Sequence, residues 1–183
     1  DYQREIIRRG ELIDAARKAD WRRLGEMLAD LARPQECDEV YRASLVRLLR
    51  DCPQPAAHDA LLAALKDPSP LVRSSAASAL AGRLDRRTVE ALLEALRDEY
   101  RLVRIRGVAA LAALEEQELR RQSDRQAFQR AAAEFTKAMT ARPDDWASHA
   151  NLGNFYLERK QYQLAAESYE IAFRLEPRVA APM

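Results

Sequence analysis

The side chains able to do chemistry are few and scattered. His58 and His149 are the only histidines of the 183 residues, and neither has a cysteine or carboxylate at a ligand spacing. Metal ligands need such clustering, so no metal site is expected from them. Cys37 and Cys52 stand at opposite ends of a helix expected over 38–50. At about 1.5 Å per residue they lie about 20 Å apart, far beyond the roughly 7 Å between Cα atoms that a disulfide tolerates. Neither belongs to a Cys-x-x-Cys-His arrangement, so the segment attaches no c-type haem of its own. There is no Gly-x-Ser-x-Gly nucleophile turn and no glycine-rich phosphate loop. These residues predict no catalytic, cofactor-binding or metal site. Two polar sets remain. Arg101, Arg104, Arg106, Arg120, Arg121, Arg125 and Arg130 could hold an acidic partner or phosphate. Asp98, Glu99, Glu115, Glu116, Glu118 and Asp124 are interleaved with them, and a solvated, salt-bridged face is the expected result. Asn151 and Asn154, three residues apart, share one helix face, with Glu158 one turn further on.

The elements that carry these side chains are helices. Composition favours Ala, Leu, Arg and Glu, which lose little side-chain freedom in a helix, and only 5 glycines interrupt it. No stretch alternates β-branched or aromatic residues with polar ones. Charge is balanced, 30 basic residues against 29 acidic, in the whole and in each third. A nucleic-acid binder would carry a basic stripe, so no nucleic-acid partner is expected. No apolar run is long enough to cross a bilayer, and no membrane insertion is expected. The chain opens on Asp1, without an initiator methionine or signal peptide, and is read as an excerpt of a longer protein.

The organising signal is a repeat. Residues 57–80 moved forward by 31 positions land on 88–111, where Leu61, Leu62, Ala64, Leu65 and Asp67 become Leu92, Leu93, Ala95, Leu96 and Asp98. Leu71, Val72, Arg73, Ala79 and Leu80 likewise become Leu102, Val103, Arg104, Ala110 and Leu111. A fixed period of this size marks stacked helix pairs. The pairs are expected at 56–66 with 69–83 and at 87–97 with 101–114. Prolines at a first helical turn cost little. A weaker copy precedes them, with Val40, Tyr41 and Arg42 at the Leu71–Arg73 positions and a longer loop around 33–37. Further helices are expected over 2–18, where Ile6, Ile7, Leu12, Ile13 and Ala16 keep a helical period, and after an Asp20 cap, where Trp21, Leu24, Met27, Leu28 and Leu31 face inward.

A second period follows a polar connector, 115–123, expected to be mobile. Leu152, Gly153, Tyr156, Ala165, Tyr169, Ala172 and Pro177 have a tetratricopeptide spacing, and a step back of 34 residues finds Ala131, Phe135, Ala138 and Pro143. Helices are expected over 124–141, 146–159 and 161–175, with Asp144 or Asp145 as a cap. The helix expected over 101–114 is expected to partner the helix over 124–141. Ala180–Met183 would open one more repeat.

The run Asp67-Pro68-x-x-Leu71-Val72-Arg73-x-x-Ala76-x-x-Ala79-Leu80 resembles the second-helix signature of HEAT repeats. The resemblance implies an all-α solenoid of antiparallel helix pairs over 1–118, continuing into a tetratricopeptide (TPR) segment over 119–183. It also implies a ladder in which Asp67 and Asp98 meet Arg42, Arg73 and Arg104. In tetratricopeptide repeats the positions of Asn151 and Asn154 line a groove where Asn side chains can hold an extended peptide, and His149 takes a packing position. The order of the two repeat types is similar to the C-terminal region of bacterial multihaem c-type cytochromes. That likeness implies a periplasmic parent, while nothing in the chain argues against the cytoplasm. The function expected is non-catalytic binding of a protein or peptide on a concave solenoid surface, across the second helices of the pairs in the first part and the first helices in the second, where Asn151, Asn154 and Glu158 are the expected partner-binding set, with no cofactor in this segment. The alternatives are a HEAT-type nucleic-acid binder and a chromophore-lyase-like enzyme.

Overall fold

The computed structural model describes residues 2–177, and among them every regular element is helical. Ten α-helices follow one another: α1 (Tyr2–Arg17), α2 (Leu24–Leu31), α3 (Glu39–Leu49), α4 (Pro55–Ala64), α5 (Pro70–Ala79), α6 (Arg86–Ala95), α7 (Arg101–Ala110), α8 (Gln122–Thr140), α9 (Trp146–Glu158) and α10 (Tyr162–Leu175). Short 3₁₀ turns occupy Trp21–Arg23 and Glu116–Glu118. The chain divides into two compact units, Asp1–Ala110 and Leu111–Met183. The continuation expected at Ala180–Met183 lies outside the described residues.

The repeat is visible in where the helices start. α2, α4 and α6 begin at 24, 55 and 86, and α3, α5 and α7 at 39, 70 and 101, each series 31 residues apart. The loop from α2 to α3 covers 32–38, longer than its counterparts at 65–69 and 96–100, as the first copy predicts. The local reasons recur too. Asp38, Ser69 and Asp85 sit in extended backbone and accept the N–H of Tyr41, Leu71 and Thr88, satisfying donors that a helix start leaves open. Pro55 and Pro70 occupy first turns, where no N–H partner is lost. α5 stops at Ala79, short of the expected residue 83, and the chain reverses with Gly82 at φ 79°, a region that favours glycine.

In the first unit α1, α3, α5 and α7 pack side by side as one layer, while α2, α4 and α6 back them. Leu61 and Leu92 from the backing helices, and Leu45, Leu49, Val72, Leu80 and Val103 from the other layer, are fully buried. At the amino-terminal end, Leu12, Ala16, Met27 and Leu45 form one cluster, flanked by Trp21 and Tyr41. Ile6 and Ile7 do not join it and remain exposed, because no further helix lies on their side of α1 among the described residues.

In the second unit α9 and α10 pack closely, and α8 lies against α9. The close approach needs Gly153: a Cβ there would lie 2.6 Å from the Tyr169 ring. Phe135 of α8 meets Phe155 of α9 with ring centroids 4.7 Å apart. The connector is not loose, contrary to the expectation from its polarity. Leu119 is buried, and Glu116 pairs with Arg159 at 2.7 Å and Glu115 with Lys160 at 2.5 Å. Arg159 also lies 4.8 Å from the centre of the Phe128 ring, so one guanidinium fastens the connector to the α8–α9 packing. Polar composition alone could not show these partners, which stand more than 40 residues away in sequence.

Candidate functional site

The residues that announce the repeat are used to hold it together. Arg73 on α5 donates from Nε and Nη2 to both carboxylate oxygens of Asp98, at 2.7 and 3.0 Å, across to the turn between α6 and α7. Its Nη1 bonds the carbonyls of Asp67 and Pro68 at 2.9 and 3.0 Å. Arg42 repeats the arrangement one step earlier, pairing with Asp67 and bonding the Cys37 carbonyl. Arg104 bonds the carbonyls of Asp98 and Glu99. The ladder expected from the family resemblance is thus present. Burial pushes the Asp98 carboxyl up, but the hydrogen bonds from Arg73 and the Tyr100 N–H, with the nearby positive charge, hold it below its ordinary value.

Neither histidine stands open to a ligand. His58 Nε2 lies 2.8 Å from the Thr88 hydroxyl, and that hydroxyl donates to Asp85 Oδ2 at 2.6 Å. The hydroxyl proton is therefore committed, and His58 must supply the proton of its own bond. Thr88 is fully buried, so a His, Thr and Asp cluster that looks like a nucleophile triad serves as a tie between α4 and α6. His149 is buried, with Nε2 3.2 Å from the Pro143 carbonyl, which fits its expected packing role. Cys37 and Cys52 are both free and buried. Among the described residues no group of three or more His, Cys, Asp or Glu side chains is arranged to hold a metal ion, and no helix is long and apolar enough to cross a membrane.

Sequence reasoning missed a buried carboxylate at Asp30. It accepts from Arg8 at 2.8 and 2.9 Å and from the Tyr41 hydroxyl at 2.7 Å, joining α1, α2 and α3. Burial, and the bond to Asp30, push the Tyr41 hydroxyl pKa far above its ordinary value. Nothing in the local pattern distinguishes Asp30 from an exposed helical acid.

An open surface lies on the layer of α1, α3, α5 and α7. A groove of about 1030 Å³ runs across it. Val40, Leu71 and Leu102, one per repeat, stand at its edge; Val40 and Leu102 are 63% and 42% exposed. Between them the floor is low, because Ser44, Ser74 and Ser78 turn their hydroxyls to carbonyls of their own helices. The repeat step from Val40 to Leu71 to Leu102 is legible in the sequence, but not that these residues point outward.

In the second unit Asn151, Asn154 and Glu158 are all exposed on α9. Asn154 Oδ1 accepts from the Tyr169 hydroxyl at 2.7 Å, which fixes the amide and leaves its N–H donors outward. Tyr169 also lines a second groove of about 780 Å³, with Trp146, Ala150 and Phe173. Of the basic stretch, Arg125 bonds the Leu119 carbonyl at 2.7 Å, Arg101 is engaged as well, and Arg106 lines the first groove. No curated protein and no solved structure matches the chain. The family model of HEAT repeats matches residues 25–112, the stretch from α2 to the end of α7 that contains the Arg42, Arg73 and Arg104 ladder.

Proposed function

We propose that this chain is a non-catalytic protein–protein interaction scaffold that receives a protein or peptide partner on the layer of α1, α3, α5 and α7. One observation carries the reading. Apolar side chains recur at one position per repeat along a single groove, Val40 and Leu102 exposed and Leu71 partly buried. Contiguous apolar surface of this kind marks interaction sites, and HEAT repeats commonly serve as protein-interaction scaffolds. The polar groups that could do chemistry support it from the other side: His58, Thr88, Asp85 and His149 are spent on ties within the fold.

A second contact face is proposed at Asn151, Asn154 and Glu158. The Tyr169 bond presents the Asn154 N–H donors outward, and the close seating of Tyr169 on Gly153 supports a tetratricopeptide-like pairing of α9 with α10. A narrower form of the reading makes the segment the docking module of a periplasmic multihaem cytochrome; the order of the two repeat types supports it.

Site-specific photocrosslinking tests the location. A photoreactive residue at position 71 or 102 should give a crosslinked partner in lysate, and the same residue at position 90 on α6 should not. Equal crosslinking from both layers, or from neither, would defeat the proposal.

A further inference from the structure

Four guanidinium groups ring the groove of the first unit: Arg17, Arg47, Arg50 and Arg106. Among the described residues none of the four makes a hydrogen bond or ion pair through its side chain. Elsewhere in this unit arginines are engaged, from Arg8 and Arg9 at the start to Arg97, Arg101 and Arg104 at the end, with Arg4 the exception. Among the described residues of this unit, the arginines without a side-chain partner are thus these four at the groove and Arg4. Two aspartates line the same groove; Asp38 is occupied capping α3, and Asp51 is unpaired. The groove therefore carries a net positive rim, four guanidinium groups against two carboxylates, around an apolar ladder.

We propose that the occupant is an acidic amphipathic helix, whose apolar side chains seat against Val40, Leu71 and Leu102 and whose carboxylates meet Arg17, Arg47, Arg50 and Arg106. This deepens the scaffold reading above and rests on it. Neighbouring helices in a layer pack about 8–10 Å apart, and side chains at i and i+7 of an α-helix lie about 10.5 Å apart on one face. A helix crossing the layer thus places one apolar residue on each rung. Guanidinium forks take carboxylates in bidentate fashion. The apolar rungs and the Asp38 and Asp51 carboxylates favour a peptide over a nucleic-acid backbone. Base stacking would also need aromatic faces, and the single aromatic lining residue, Tyr41, is tied to Asp30.

The test is selection from a random peptide display library on the immobilised full chain, followed by binding of a labelled selected peptide. Selected peptides should be strongly acidic with apolar residues seven apart. Arg47→Glu with Arg50→Glu should weaken binding about tenfold or more, while Arg47→Lys with Arg50→Lys keeps most of it and Arg86→Glu, on the opposite layer, changes nothing. Raising salt from about 0.05 to 0.5 M should weaken binding as well. Circular dichroism should be unchanged, since these guanidinium groups support nothing in the fold. Neutral or basic peptides that Leu71→Asp blocks and the arginine reversals spare would overturn the acidic occupant and leave the scaffold reading standing. Peptides blocked by neither change would sink both. Tighter binding of a single-stranded oligonucleotide at the same groove would also overturn the proposal.

Discussion

Replacing Asp98 with asparagine removes one charge from the ladder and leaves the backbone cap on Tyr100 in place. Two parallel charge-assisted bonds, at 2.7 and 3.0 Å, join Arg73 to Asp98, and both side chains are 11% exposed. Removing one partner of a buried pair costs about 3–5 kcal/mol. Arg73 keeps its carbonyl bonds to Asp67 and Pro68, and Glu99 stands 4.0 Å away, so the loss belongs at the low end, about 3 kcal/mol. Arg73→Met should cost about the same, and the double variant about 4 kcal/mol, a coupling of about 2 kcal/mol. With a urea slope near 2 kcal/mol/M, each single change moves the midpoint by about 1.5 M. The pair is the interface term between the α4–α5 and α6–α7 repeats, and repeat arrays are held by such nearest-neighbour terms. Amide exchange should therefore rise in α6 and α7 before α3. The acid limb gives the sign. The Asp98 carboxyl sits below its ordinary value in the folded chain, so its stabilisation is complete above about pH 4 and fades as pH falls through the folded value. Asp98→Asn should flatten that limb. A coupling below about 0.5 kcal/mol would mean the pair behaves as an exposed salt bridge, and the ladder argument would be wrong.

Three further outcomes follow from local geometry. Ala19 holds φ 53° in the turn after α1, so Ala19→Gly should raise stability by about 0.5–1 kcal/mol in urea melts; a loss would show that the turn is unstrained. Gly153→Ala puts a methyl group against the Tyr169 ring and should cost about 1–3 kcal/mol, with a changed tyrosine near-ultraviolet signal; an unchanged melt would contradict the close seating of α10 on α9. Cys37 and Cys52 are buried, and burial is the main cause pushing the Cys37 thiol up, so alkylation of the native chain should be slow and become fast on unfolding; rapid native labelling of both would refute their burial.

The repeat register and the ladder were legible because period and chemistry coincide: a 31-residue step carries Arg42 to Arg73 to Arg104 and the helix starts with them. What stayed hidden depends on distant partners. Asp30 looks like any helical acid until Arg8 and Tyr41 converge on it from two other helices. His58 lacks a neighbour in sequence and finds Thr88 and Asp85 one repeat later. The connector over 115–123 looked loose because its acids were counted and their basic partners, Arg159 and Lys160, were not. For the candidate sites, the exposure of Asn151, Asn154 and Glu158 follows from helix spacing, but the Tyr169 bond that orients Asn154 does not. That the second helices of the pairs, α3, α5 and α7, carry a groove follows from the repeat architecture, but the side chains that line it do not. The repeat step links Val40, Leu71 and Leu102, and the way the helices share a layer brings them to the groove, Val40 and Leu102 exposed and Leu71 partly buried.

The proposed scaffold role puts a protein partner on the layer of α1, α3, α5 and α7. Amide hydrogen exchange with and without a display-selected peptide tests it most directly. Exchange should slow in α3, α5 and α7, centred on the turns that carry Val40, Leu71 and Leu102, with α2, α4 and α6 unchanged. Protection confined to α2, α4 and α6, or to the second unit alone, would contradict it.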